Sequence, residues 1–99
     1  GGIKVSDTAA DLAVLASVVS SYYDKPLPEN TCFVGELGLS GQIRPVSFID
    51  KRVGEANRLG FNNVFISAAQ KSELDKKSTG VIPVSDVRDF AAKLFRKGN

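Results

Sequence analysis

The chain has 99 residues, 42% of them hydrophobic, and its 13 basic and 11 acidic side chains leave a net charge of +2. That length makes at most one domain, with apolar content for a modest core and no sign of the low-hydrophobicity, high-charge signature of disorder. A charge so near balance does not by itself call for nucleic acid, so any such partner must rest on where the cations cluster.

One cysteine, Cys32, and no histidine leave no internal disulfide framework and no zinc or iron–sulfur site. A single thiol fits a reducing compartment, and Cys32, in an apolar stretch, reads as a small buried hydrophobe. No apolar run reaches the roughly 20 residues that span a bilayer, and no basic-then-apolar leader is visible. A soluble, cytoplasmic chain with no membrane partner is expected.

In chain order, "GGIKV" alternates through Ile3 and Val5 as a short strand would. "SDTAADLAVLASVVSSYY" predicts a helix capped by Ser6 or Asp7, and its near-continuous apolar character predicts a central, buried one. "DKPLPEN" is a loop, because two prolines and turn formers stop the helix. "TCFVGELGL" and "QIRPVSFI" are β-rich and joined by "SG", which predicts a hairpin turning near Ser40 and Gly41. "DKRVGEANRLG" reads as an amphipathic helix through Val53, Ala56 and Leu59, with Gly60 as its left-handed terminator. "NNVFISA" predicts a strand covered on both faces. "AAQKSELDKKSTG" reads as a polar surface turn or short helix. "VIPV" is a short strand that Pro83 assigns to an edge. "SDVRDFAAKLFRKGN" closes as a helix with Ser85 as cap, with Val87, Phe90, Ala91, Leu94 and Phe95 on one face and Lys93, Arg96 and Lys97 in the last turns. The order is β-α-β-β-α-β-(α)-β-α, an α+β domain of α/β layered type.

The chemistry-bearing residues are sparse. Glycines 35, 38 and 41 of "GELGLSG" precede a second strand rather than a helix, and no G-K-[ST] follows, so they serve turns and bulges and make no phosphate cradle. Without histidine, nucleophilic catalysis is left with a Ser–Lys pair. Ser47 and Lys51 are four apart, but they read as cap and surface residues of an exposed helix start. Asp11, the lone charge in its helix, is either an acid that touches a subunit or ligand, or a first-turn carboxylate held by free amides and the dipole. Arg44, Lys51, Arg52 and Arg58 cluster in one hairpin-to-helix segment, and Lys71, Lys76 and Lys77 in one loop. Such groups suit phosphates or, more plainly, solvent.

The motif order carries a resemblance. "GELGLSGQIRPV", then a helix, "RLGF" and an apolar strand, resembles the C-terminal Lon-protease-like domain of the bacterial RadA (Sms) family. "GGIKVSDTAADLAVLASVVSS" resembles the strand and helix before it. The resemblance runs from Gly1 to about Phe95. It implies a Lon-protease-like, ribosomal protein S5 domain 2-like fold: a single domain over 1–99 that lacks its first strands. The family's zinc motif and RecA-like ATPase domain, with its ATP and magnesium, would lie outside this chain, which itself needs no cofactor. Active Lon proteases carry a serine at the start of the central helix and a lysine after the hairpin. The resemblance places Ala9 and Asp50 at those positions, so both halves of the dyad are lost and no catalytic residue remains. It therefore implies a non-catalytic oligomerisation and DNA-binding platform of a DNA-dependent ATPase in homologous recombination and repair. The implied partners are single-stranded or branched DNA, a hexameric ring of copies and the recombinase RecA. Arg44, Lys51, Arg52 and Arg58 become candidate DNA or subunit contacts. The alternatives are a Lon-like Ser–Lys peptidase, and a protein-interaction domain with no DNA contact.

Overall fold

The structure, a computed structural model, describes residues 8–96. The expected strand through Ile3 and Val5, the caps Ser6 and Asp7, and Lys97 lie outside the described residues. The first described element is a 3-10 turn, Thr8–Ala10, which runs into helix α1, Asp11–Tyr23. Three strands, β1 (Thr31–Val34), β4 (Asn63–Ser67) and β5 (Val81–Val84), form a parallel sheet in the order β1-β4-β5. Strands β2 (Glu36–Leu37) and β3 (Ile43–Arg44) make a separate antiparallel pair. Helix α2, Ile49–Arg58, precedes β4, a second 3-10 segment, Ala68–Glu73, follows it, and helix α3, Val87–Leu94, follows β5.

Strand periodicity sets the layers. On central β4, Val64 and Ile66 join Val34, Ile49, Val53 and Ala56 on the α2 face. Phe65 points the other way, into Leu12, Ala16, Val84, Phe90 and Leu94 on the face of α1 and α3. The result is a sheet between helices, which explains why "NVFIS" is apolar at almost every position. The Phe65 ring stacks on Phe33 at 5.4 Å and meets Phe90 edge-on at 5.3 Å. Full burial of each such ring contributes about 2–3 kcal/mol. Pro83 sits on β5, which among the described residues pairs with β4 alone, as the edge position expected from its missing N–H requires. Gly60 takes φ +95°, the left-handed terminator expected after α2.

Five expectations need correction. Helix α1 is not buried all round: it covers Leu12, Ala16 and Val19, but Val14 is 64% and Tyr22 80% exposed. It lies on one face of the sheet, which covers only the stripe that faces it. The hairpin is also shorter than its apolar flanks suggested, because the first strand splits at Gly35. There the chain leaves the parallel ladder: Gly35 N–H donates to the Ala9 carbonyl at 3.1 Å, and the Gly35 carbonyl accepts from Leu12 N–H at 3.0 Å. A Cβ at Gly35 would come within 3.0 Å of Ile43 Cγ2 and 3.2 Å of Leu12 Cδ2, so a side chain there would press on both neighbours. The cap of α3 is Asp86, not Ser85, with Asp86 Oδ1 accepting from Asp89 N–H at 2.7 Å. The helix closes at Leu94, which leaves Arg96 beyond its last turn. Last, the polar segment after β4 is not wholly a surface feature, since its Gln70 is only 4% exposed.

Candidate functional site

The segment after β3 is pinned at several points before it enters α2. Ser67 Oγ donates to the Ile43 carbonyl at 2.9 Å, and the buried Gln70 amide bonds both backbone groups of Val46. Two residues later Phe48 turns the chain at φ +59°, ψ +38°, and its carbonyl accepts the first helical bond of α2 from Arg52 N–H at 2.9 Å. Arg52 Nε donates back to the Ser47 carbonyl at 2.8 Å. Lys51 and Arg52, in the first turn of α2, line an open groove of about 750 Å³.

One wall of the groove is Ala9 and Ala10 of the 3-10 turn with Ala13 of α1, and its floor is β1, with Cys32 and Val34. The other wall is α2 and the turn after it, with Phe48, Lys51, Glu55, Leu59 and Phe61. Cys32 is half-buried, and burial pushes its thiol up, so it is a poor nucleophile.

The sequence-derived candidates do not converge on one spot. Lys51 and Arg52 share the groove with Ala9. Asp50 belongs to a different, smaller depression with Asp75 and Lys77, where Asp50 Oδ1 accepts from Asp75 N–H at 2.7 Å. Arg44, 57% exposed on its side chain, lies opposite Glu36 across the hairpin with Nε 3.8 Å from Glu36 Oε2. Arg58, in the last turn of α2, pairs with Glu55 through Nη2 to Oε1 and through Nε to Oε2 at 3.0 Å. Their hydrogen bond, aided by charge, raises the Arg58 guanidinium and lowers the Glu55 carboxyl. Ser47 does not line the groove. Asp11 lies in the first turn of α1, as one of its two readings has it, and its Oδ2 accepts from Leu37 N–H at 3.1 Å, which ties that helix to the hairpin.

Sequence reasoning missed two residues here. Gln70 sat in a polar run with no mark of burial. Phe48 stood in "SFI", which reads as strand, and nothing local separates it from its apolar neighbours.

A parallel sheet between helices, carrying a groove with a basic rim and, among the described residues, no hydroxyl nucleophile on its lining, defines an α+β domain. A family profile described as "Subunit ChlI of Mg-chelatase" matches residues 1–70, and the chain belongs to that family. It is also homologous to the C-terminal region of bacterial RadA proteins. It is 41% identical over 96 residues to the DNA repair protein RadA of Streptococcus pneumoniae, covering 96% of this chain and 23% of that protein. Against the RadA of Listeria monocytogenes it is 56% identical over 66 residues, 67% of this chain and 14% of the relative. Against that of Bacillus subtilis it is 43% identical over 90 residues, 90% and 20% respectively. The chain thus spans about a fifth of the length of the curated relatives it matches. Among the described residues, no helix is long and apolar enough to cross a membrane.

Proposed function

We propose that this chain is a non-catalytic platform, serving oligomerisation and DNA binding, within a RadA-like ATPase that acts in homologous recombination and DNA repair. The observation that carries this reading is the lining of the groove. Ala9 lines it together with Lys51 and Arg52, and among the described residues no serine or threonine hydroxyl does. A Ser–Lys peptidase needs an oxygen to attack with, so the basic rim is left as binding surface. Lys51 and Arg52 stand in the first turn of α2, and Arg44 adds a cation on the hairpin before them. The relatives' printed role, DNA repair, supplies the polyanion that such cations would meet.

The outward stripe of α1, with Val14, Val18 and Tyr22, supports the oligomerisation half of the reading: an exposed helix face normally carries charge, and beyond the first-turn Asp11 this one has none. ATP, magnesium and zinc would be bound by the remainder of such a polypeptide. Among the described residues no group of three or more His, Cys, Asp or Glu could hold a metal. A hexameric ring, the recombinase RecA as partner, and a cytoplasmic location follow from the same reading.

The test is charge reversal of Arg44 and Arg52 in the polypeptide that carries this domain, read by binding of branched DNA across a salt series and by light scattering. Weaker, less salt-dependent binding or loss of assembly is expected. If both stay unchanged, the platform reading falls. A serine-reactive probe should leave the chain unlabelled, and labelling that disappears in Ser47→Ala would restore the peptidase.

A further inference from the structure

We infer that Phe48 is a stacking platform for a base of single-stranded DNA, with Lys51 and Arg52 holding the adjoining phosphates. The inference rests on the DNA-binding reading above and names the place and the form of DNA.

Phe48 is anomalous in two ways at once. Its φ of +59° lies in the left-handed region, which is costly for a side chain branching into a large ring. It is also 76% exposed, so no burial of the ring offsets that cost. The conformation persists because both flanks are fixed: Val46 by Gln70 on one side, and the first helical bond, Arg52 N–H to the Phe48 carbonyl, on the other. An aromatic ring held out in solvent by a strained backbone is a feature of binding sites more than of folding.

Its surroundings select the ligand. Phe48 stands at the rim of the groove, three residues before Lys51 and four before Arg52, which line the same groove. Lys51 makes no salt bridge among the described residues, so its ammonium is available to an incoming anion. Among the described residues that line the groove the one acid is Glu55, which is paired with Arg58. An aromatic face beside cations matches a ligand that alternates flat apolar rings with phosphates, which is single-stranded nucleic acid. A duplex hides the faces of its bases and offers only the phosphates. An apolar peptide would give the cations nothing to meet.

The chain contains no tryptophan, so Phe48→Trp introduces a single indole as a reporter at the platform. Titration with oligothymidylate should quench that indole. Phe48→Gly should bind the same oligonucleotide about tenfold or more weakly, as loss of one stacked base predicts, with affinity for duplex unchanged. Lys51→Ala should lower the slope of log affinity against log salt by about 0.7, one phosphate contact on a single strand. Phe48→Gly relieves the strained backbone, so its folding, checked by circular dichroism, is not the weak point of the test. Oligonucleotide binding with an unquenched indole, or equal losses for single strand and duplex, overturns the platform while leaving the DNA reading in place. No binding of either form by the unmodified chain overturns both. Self-association without DNA that is lost in Phe48→Gly would assign the face to a second copy and also overturn the inference.

Discussion

The side-chain amide of Gln70 bonds both backbone groups of Val46: Oε1 accepts from Val46 N–H at 2.9 Å, and Nε2 donates to the Val46 carbonyl at 2.7 Å. Gln70 acts here as a strand would, satisfying a donor and an acceptor on a stretch that has left the β2–β3 ladder. Both residues are buried, so water cannot readily replace the amide. Gln70→Leu keeps the approximate volume and leaves two buried backbone groups unpaired, at about 1–3 kcal/mol each. Urea unfolding should therefore show a loss of about 2–4 kcal/mol. Gln70→Glu should recover little, since a carboxylate accepts from the N–H but has no N–H of its own to give the carbonyl.

The start of α3 should make stability depend on pH. Asp89 is partly buried, which by itself raises its carboxyl, but hydrogen bonds from Ser85 N–H and from Lys93 outweigh burial and hold it below the usual range. A carboxyl lowered in the folded state stabilises it at pH values above its unfolded value, about 3.9, and that contribution disappears as pH falls through the folded value. Unfolding midpoints of the unmodified chain should therefore drop below about pH 4 more steeply than those of Asp89→Asn. At neutral pH Asp89→Asn should cost about 1 kcal/mol, the usual worth of such a terminal hydrogen bond. Equal pH dependence in the two proteins would remove Asp89 from this role.

What could be read from the sequence, and what could not, divides by range. Gly60 as terminator, Pro83 on an edge strand and the doubly covered run around Phe65 follow from backbone limits or short periodicity, and the structure has them there. The missed features are pairings between distant residues: Asp11 with Leu37, 26 positions apart, and Gln70 with Val46, 24 apart. The one-sided burial of α1 is hidden from the sequence for the same reason, because an apolar helix does not say how many of its faces will find a neighbour. At the candidate site, Lys51 and Arg52 were legible as a basic pair, but that they share a groove with Ala9 while Asp50 turns away depends on the fixed entry into α2.

Gly80 carries a more severe constraint than the other glycines among the described residues. Its φ is +67°, and a Cβ there would sit 2.0 Å from the Asn62 carbonyl oxygen, on backbone that leads into the central strand. The Gly80 carbonyl also accepts from Val64 N–H at 2.8 Å, so the two segments cannot separate without losing that bond. Gly80→Ala combines a left-handed penalty of about 1–2 kcal/mol with a steric overlap that only backbone movement relieves. A loss of more than about 3 kcal/mol, or failure to fold, is expected in thermal unfolding. Gly54→Ala is the control: it is helical, nothing lies within 4 Å of its added Cβ, and it should gain about 0.5–1 kcal/mol.

Phe48 should show stability and binding moving in opposite directions. A non-glycine residue in the left-handed region costs about 1–2 kcal/mol, and glycine adopts it freely but gives back part of that gain through its larger unfolded-state entropy. Because the ring is largely solvated, its removal forfeits little burial. Phe48→Gly should therefore raise stability by about 0.5–1 kcal/mol, which for a domain of this size lifts Tm by a few degrees. Phe48→Ala keeps the strain and loses the ring, so it should not gain. A rise in Tm for Phe48→Gly together with weaker oligonucleotide binding identifies a residue kept for what it touches outside the fold. A fall in Tm would mean instead that the ring supports the entry into α2, and that its exposure is not evidence of a binding role.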